Sequence, residues 1–227
     1  MTDLESRRRA GSRLRHRGLA GSASSESSEL CAETTQRTTW GLFGRRPKLA
    51  NSRGWRNEPP AEFEMGRLLT QLGSEWTVLH TFDVFGELDA DFLVVGPPGI
   101  FMVTSRVRAG GKIWVDENVL WVNGRPSDHI RDTRIAAERA STRLSSAVGE
   151  TVRVIPVIAL MDPASLSFGG DPTQRVVALP AELLTQWLSE CSRAYSDDAV
   201  AYFSMIAEER ATWGSHPSGQ GSVARLR

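Results

Sequence analysis

The sequence predicts an α/β domain in which helices flank a mixed central β-sheet, preceded by a disordered N-terminal arm. Short apolar runs bounded by Gly and Pro, such as residues 92–95 and 100–103, are typical of buried strands. Apolar residues recur at helical spacing after Pro60 and again after Asp128. Strand and helix segments alternate along the chain, which is the order expected of an α/β domain.

The central stretch, residues 87–106, predicts two strands joined by a Gly-Pro-Pro-Gly turn. Pro97 and Pro98 cannot donate to a sheet ladder, so they must lie in the connection. Side chains alternate along a strand, so Thr104 and Arg106 share one face of the second strand. A strand with a polar end either carries a site there or meets water there. Composition alone favours the second interpretation.

A first helix is predicted after Pro60 and is expected to close at Gly73, with a strand at 76–82 behind it. Glu62 begins this helix, where it either points toward the sheet or is favoured by the helix dipole. The residues alone do not decide between these two roles. The predicted buried stripe of the helix comprises Met65, Leu68, Leu69 and Leu72.

The second half of the chain predicts a hairpin around residues 116–118, in which Trp114 and Trp121 pair across the strands. A helix capped by Ser127 or Asp128 and ended by Gly149 follows. Its predicted apolar side comprises Ile130, Ala137, Ala140, Leu144 and Val148. Beyond it the sequence predicts strands at 152–160 and 176–179, a polar loop at 162–174, helices from 180 and over 197–213, and a flexible tail over 214–227.

The balanced formal charge of the 227 residues conceals a strong asymmetry. Residues 1–56 hold twelve Arg or Lys and five Asp or Glu, a net charge of +7, whereas the remainder holds 15 cations and 22 anions, a net charge of −7. Residues 1–57 lack an apolar period and are predicted to be disordered. A basic arm on an acidic body favours nucleic acid, DNA or RNA, or an anionic surface as the partner of the arm. The candidate nucleic-acid-binding residues are Arg7, Arg8, Arg9, Arg13, Arg15, Arg17, Arg45, Arg46 and Lys48.

Several other classes are disfavoured. Two cysteines form no disulfide framework, which favours a reducing, cytoplasmic compartment. The four histidines lack the spacing of a zinc site. The longest apolar stretch, residues 92–103, is too short to span a membrane, and no apolar segment behind the N-terminal arginines suits a signal peptide.

The stretch from Asp89 to Arg106 resembles the core motif of the nuclease-related domain (NERD) family. That motif has an acidic pair followed by His, an apolar run, Gly-Pro, Gly-Val-Phe, and an acid-x-Lys ending. This sequence has Asp89-Ala90-Asp91-Phe92, the run to Pro98, then Gly99-Ile100-Phe101 and Thr104-Ser105-Arg106. The resemblance extends over roughly residues 60–190, and it implies one domain at 58–190 with a C-terminal helical extension at 191–213.

The resemblance implies a restriction-endonuclease-like, PD-(D/E)xK phosphodiesterase core. In that core a strand Asp, a helix Glu and the acid of acid-x-Lys bind a divalent metal, here Mg²⁺ or Mn²⁺ if the site is active. The family-equivalent positions are Glu62, Asp91, Thr104 and Arg106, with Asp89 as a further possible ligand beside Asp91 and Glu62.

This sequence departs from the family pattern where the chemistry is most demanding. Thr104 replaces the acid, Arg106 replaces the Lys, and Phe92 stands where His is usual. A neutral hydroxyl is a poor substitute for a carboxylate on Mg²⁺, and guanidinium does not deprotonate. We therefore expect a fold that has kept its shape and lost or weakened its hydrolysis.

Three functions stay open on the sequence. The first is a catalytically degenerate nuclease-related protein that associates with nucleic acid through its arm. The second is a residual metal-dependent phosphodiesterase that uses Glu62 and Asp91 with Asp89 or Glu87. The third is a protein-interaction domain with no nucleic-acid role. Under the first, the four family-equivalent side chains are expected to converge on one pocket.

Overall fold

A computed structural model describes residues 61–80, 92–106, 110–116, 118–169, 176–213 and 224–225. The predicted disordered arm at 1–57 lies outside these residues. The elements in chain order are α1 Ala61–Leu69, β1 Thr77–His80, β2 Phe92–Gly96, β3 Gly99–Arg106, β4 Lys112–Val115, β5 Leu120–Val122, β6 Arg125–Ser127, α2 His129–Val148, β7 Ile155–Leu160, β8 Ser165–Phe168, β9 Val177–Pro180, a 3₁₀ turn Ala181–Leu183, α3 Leu184–Glu190, α4 Asp197–Glu208, α5 Arg210–Trp213 and β10 Ala224–Arg225.

The predicted mixed sheet is confirmed. It has six strands in the order β10-β1-β2-β3-β7-β9. The strands from β10 to β3 pair antiparallel, and β7 and β9 continue the sheet in parallel to β3. The predicted pair of strands around the Gly-Pro-Pro-Gly turn is also confirmed. β2 and β3 form this central hairpin, in which Gly96 pairs with Gly99 around Pro97 and Pro98. β3 is therefore a central strand, fixed by an antiparallel neighbour on one side and a parallel neighbour on the other.

The six-stranded sheet is covered on both faces. On one face the alternate β3 residues Phe101 and Val103 pack against Met65 and Leu69 of α1 and against Trp187 of α3. On the other face Ile100 and Met102 pack in a second cluster. Its partners from α2 and α4 are Ala136, Ala137, Ala140, Leu144, Val200, Phe203 and Ile206. The small Ala side chains of α2 allow its backbone to approach the sheet closely.

A second sheet, with strand order β6-β5-β4-β8, was not expected. The predicted polar loop at 162–174 is wrong in part, because Ser165–Phe168 forms β8 and pairs in parallel with β4. Asn123 and Gly124, both at positive φ, turn the chain from β5 into the equally unexpected β6. The inner face of this sheet packs on β7, β9 and the start of α2 through Ile113, Val115, Leu120, Ile130, Ile158, Leu160 and Ala178.

The structure differs from the predicted elements in four places. α1 ends at Leu69, and Thr70 to Leu72 form turns rather than a last helical turn before Gly73. Asp128 occupies the N-cap of α2 but makes no side-chain cap hydrogen bond. The predicted helix at 197–213 is broken at Glu209, the extended C-cap of α4. The two described residues of the predicted tail, 224–225, form β10 on the edge of β1. Gly149 does end α2, in a left-handed conformation.

The segment between α3 and α4 holds the β2–β3 turn in place. The backbone N–H groups of Ala194 and Tyr195 both donate to the Pro97 carbonyl, each at 2.9 Å. The Tyr195 ring packs on Phe203, with ring centroids 4.9 Å apart. Burial raises the pKa of Tyr195 to about 12, so its phenol stays protonated across the physiological range.

We predict that Gly96→Ala destabilises the domain through steric overlap. A Cβ at this position would overlap the ring of Trp76, which packs directly on the glycine. Overpacking of a buried site costs about 1–3 kcal/mol, occasionally more. Urea unfolding of the single variant and of Gly96→Ala with Trp76→Leu checks the cause. The added cost of Gly96→Ala should shrink in the Trp76→Leu background, and equal costs in both backgrounds would contradict the mechanism.

Candidate functional site

Thr104 lies near the end of β3 and points into the layer between the sheet and α2. It shares this face with Ile100 and Met102, which pack on α2. Its register partner on β7 is Ile158, which belongs to the core of the second sheet. Thr104 is therefore located where the α2 layer meets the second sheet, and only 3% of its surface is exposed.

The Thr104 hydroxyl is satisfied by a second threonine. Thr133 Oγ1 donates to Thr104 Oγ1 at 3.3 Å, and Thr133 is itself only 2% exposed. Thr133 lies on the buried stripe of α2 between Ile130 and Ala137, so the same packing that docks α2 brings this hydroxyl to the strand end. The pair is a closed, neutral hydrogen bond within an apolar layer.

This arrangement does not suit a divalent cation. Mg²⁺ prefers charged carboxylates and retains water, whereas Thr104 offers a neutral oxygen that is buried and already hydrogen-bonded. Among the described residues, no group of three or more His, Cys, Asp or Glu is placed to hold a metal ion. We therefore derive no catalytic step through a metal from these residues.

The other family-equivalent residues are located less fully. Asp91 and Asp89, like Glu87, lie outside the described residues. Phe92, the next residue after Asp91, pairs with Val103. Arg106 ends β3 opposite Leu160, but its side chain is not described. The convergence of four side chains on one pocket stays a prediction.

Glu62 lies in the first turn of α1, and its side chain is also outside the described atoms. α1 packs on the sheet through Met65 and Leu69, on the face of Phe101 and Val103. Thr104 belongs to the opposite face. The packed side of α1 and the Thr104 side chain therefore lie on opposite faces of the sheet.

Thr133 is a site residue that the sequence did not single out. A signal was available, because Thr133 lies three residues after Ile130 and four before Ala137, on the predicted apolar side of α2. A threonine on such a stripe needs a buried acceptor. What the sequence did not supply was the identity of that acceptor, because it required the register of α2 against β3.

The candidate arm residues from Arg7 to Lys48 all lie outside the described residues. The structure describes instead several cations on α2. Arg131 pairs with Asp128 at 3.5 Å and with Asp132 at 3.4 Å, and Arg134 lies 3.9 Å from Glu138. These largely exposed pairs are typical of a solvated helix face. No helix in the described part of the chain has the length and apolar character needed to cross a membrane.

Residues 54–161 match the family model described as the nuclease-related domain, a family whose known fold is PD-(D/E)xK-like. The match includes the central hairpin, the second sheet up to β6, α2 and β7. It ends just after β7, before β8, β9 and the C-terminal helices. No curated protein and no solved structure matches the chain.

We predict strong coupling between Thr104 and Thr133. Thr133→Val leaves the buried Thr104 hydroxyl without its donor and should cost about 1–3 kcal/mol, and Thr104→Val should cost a similar amount. Replacing both threonines by valine removes both polar groups at nearly constant shape, so the double variant should be closer in stability to the parent than the sum of the single changes. Urea unfolding measures all three.

Thr142→Val is a matched control on the same helix. Thr142 is exposed and its hydroxyl donates only to Glu138 O one turn earlier, so the change should stay within about 0.5 kcal/mol. Additive effects of Thr104→Val and Thr133→Val would show that the two hydroxyls do not depend on each other.

Proposed function

We propose that this protein, in which residues 54–161 form a nuclease-related domain, is a catalytically degenerate member of that fold that associates with nucleic acid through its basic N-terminal arm. The observation that carries the first part is the buried Thr104–Thr133 pair. It occupies the position at which the family pattern has a metal-binding carboxylate.

Thr104 replaces a carboxylate of the family pattern. A carboxylate at this depth would be costly unless a cation compensated its charge, and a metal ion normally supplies that compensation. The neutral threonine pair removes the need for a cation, because each hydroxyl is satisfied within the protein. The site is thereby converted from one that depends on a metal ion into ordinary core packing.

The remaining charged residues support the same proposal. Continuing the β2–β3 register by one residue from Phe92 and Val103 would set Asp91 opposite Thr104. We propose that Arg106 then pairs with Asp91 or Glu62, instead of sharing a metal ion with them. An Arg–carboxylate pair is charge-assisted, and it engages the carboxylate oxygens that would otherwise bind a metal ion.

Nucleic-acid association is proposed from charge. The arm carries +7 and the rest of the chain −7, so most of the favourable phosphate contacts are expected from the arm. A body with net negative charge is poorly suited to bind a phosphate backbone over a wide surface.

The second candidate is a residual phosphodiesterase. It is favoured by the retention of Asp91 and Glu62 in the sequence, with Asp89 or Glu87 as a substitute for the missing acid. This candidate requires those carboxylates to gather at one metal site without help from Thr104. A non-catalytic protein-interaction role is the third candidate, favoured by the acidic body.

We predict that the unmodified protein cleaves neither single- nor double-stranded DNA with Mg²⁺ or Mn²⁺. Thr104→Glu with Arg106→Lys restores the family pattern and should raise Mn²⁺ affinity at least about tenfold, equivalent to about 1.4 kcal/mol. Isothermal titration with Mn²⁺ measures this.

Thr104→Gln with Arg106→Lys is the matched control, because glutamine has the volume of glutamate without the ligand charge. Equal affinities of the two double variants would contradict a metal site at this position. Efficient cleavage by the unmodified protein would reject the degenerate interpretation in favour of the second candidate.

We predict that DNA affinity falls steeply with salt and that the arm accounts for the slope. Neutralising Arg45, Arg46 and Lys48 to Gln should reduce the slope of log affinity against log salt by about 2–3, at roughly 0.7–0.9 per lost phosphate contact. Fluorescence anisotropy with a labelled oligonucleotide measures this. The control neutralises three cations of α2, Arg131, Arg134 and Arg139, and should leave the slope unchanged. A larger effect from the α2 change would place binding on the body.

A further inference from the structure

The outer face of the second sheet carries an aromatic row. Trp114 on β4 and Trp121 on β5 are register partners, with ring centroids 5.9 Å apart. Pro126 on β6 pairs with Trp121 on one side, and Ser167 on β8 pairs with Trp114 on the other. The inner face of the same sheet is packed against the domain core, so this row is the side turned away from it.

The row is large, apolar and incompletely covered. Trp114 is 41% exposed, an unusual position for the side chain with the greatest apolar area. Its indole lies over Gly169, where a Cβ would overlap the ring, so the glycine allows the ring to lie flat across the end of β8. The Trp121 Nε1–H is buried and has no acceptor among the described residues. Buried donors normally have one.

The charges around the row disfavour a polyanion. The described charged residues at the strand ends and turns of this sheet are the carboxylates Asp116, Asp128 and Asp162 and the cations Lys112 and Arg125. Asp128 also pairs with Arg131 at 3.5 Å. A phosphate backbone finds little net attraction here, whereas a cationic segment with aromatic side chains meets indole faces and a net charge of −1 from three carboxylates and two cations.

We propose that residues 40–56 of this chain pack on the Trp114–Trp121 row. The segment reads W-G-L-F-G-R-R-P-K-L-A-N-S-R-G-W-R, with five cations, no acid and three aromatic residues. Arginine side chains stack on exposed indole faces, and the aromatic residues of the segment bury apolar surface against the same rings.

Chain length permits this contact. Arg56 precedes the first residue of α1 by only five positions, so one end of the segment is tethered to the domain. Seventeen extended residues span up to about 55–60 Å, compared with a radius of gyration of about 15 Å for a domain of this size. Tethering gives the segment a high effective concentration at the row, so weak contacts suffice.

The docking itself does not depend on the proposed function. If the arm also binds nucleic acid, as proposed, the docking regulates that binding. Arg45, Arg46 and Lys48 belong both to the docked segment and to the proposed nucleic-acid-binding arm. DNA and the row would then compete for the same cations. The protein alone would keep the segment folded back, and nucleic acid would release it.

The test uses the full chain with Ser167→p-benzoylphenylalanine, on the same outer face and with both indoles retained, irradiated alone and mapped by mass spectrometry. The expected result is an intrachain cross-link into residues 40–56. Neutralising Arg45, Arg46 and Lys48 to Gln should reduce its yield about tenfold, from the loss of several exposed cation–π contacts. Met205→p-benzoylphenylalanine, at a 52% exposed residue of α4, is the control and should give no enrichment for this segment.

Three results would overturn the proposal: cross-links only to residues 170–175, cross-links only between two chains, or equal capture of the segment from Met205. An added thymidine oligonucleotide distinguishes the docking of residues 40–56 from their release by nucleic acid. Loss of an established cross-link supports competition. A cross-link that persists leaves the docking intact and rejects the release by nucleic acid, whatever the binding assay shows about the proposed function.

Discussion

The position of β3 between β2 and β7 is the constraint on which the rest of the structure depends. An antiparallel neighbour fixed by a two-proline turn and a parallel neighbour on the other side leave the strand one register. Its side chains are then sorted strictly by parity. Phe101 and Val103 face α1 and α3, and Ile100, Met102 and Thr104 face α2. A slip of one residue would move every β3 side chain to the opposite face of the sheet, so the register is strongly determined.

This alternation of side chains along β3 explains why Thr104 is buried and needs a partner within the protein. Thr104 precedes Arg106, the strand end, on this face of β3, and it lies where α2 and the second sheet both pack on the six-stranded sheet. A polar group there has no access to water and must find its partner in the protein. Thr133 is that partner. The Thr104 side chain is thereby part of the packed layer between β3 and α2.

The local features of the fold were predictable because local chemistry determines them. Pro97 and Pro98 exclude a ladder, Gly149 favours the left-handed end of α2, and the Trp114–Trp121 pairing follows from the spacing around a short turn. β8 was not predictable in the same way. Ser165–Phe168 is short and mostly exposed, and it becomes a strand only because β4 offers a parallel edge. The Thr104–Thr133 contact was beyond prediction for a related reason, since it joins residues on two elements whose relative register no local pattern encodes.

The hydrogen bonds from Ala194 and Tyr195 to the Pro97 carbonyl show that the folded domain extends beyond the segment that the family model matches. The family match ends at residue 161, yet the turn at the centre of the motif is held by residues more than thirty positions later, and α4 completes the core on the α2 face. During synthesis the matched segment is made first, and α4 completes the core on the α2 face only after its own residues have been made. The C-terminal helices are therefore part of the fold that holds the motif, through contacts distant in sequence, rather than an appendage.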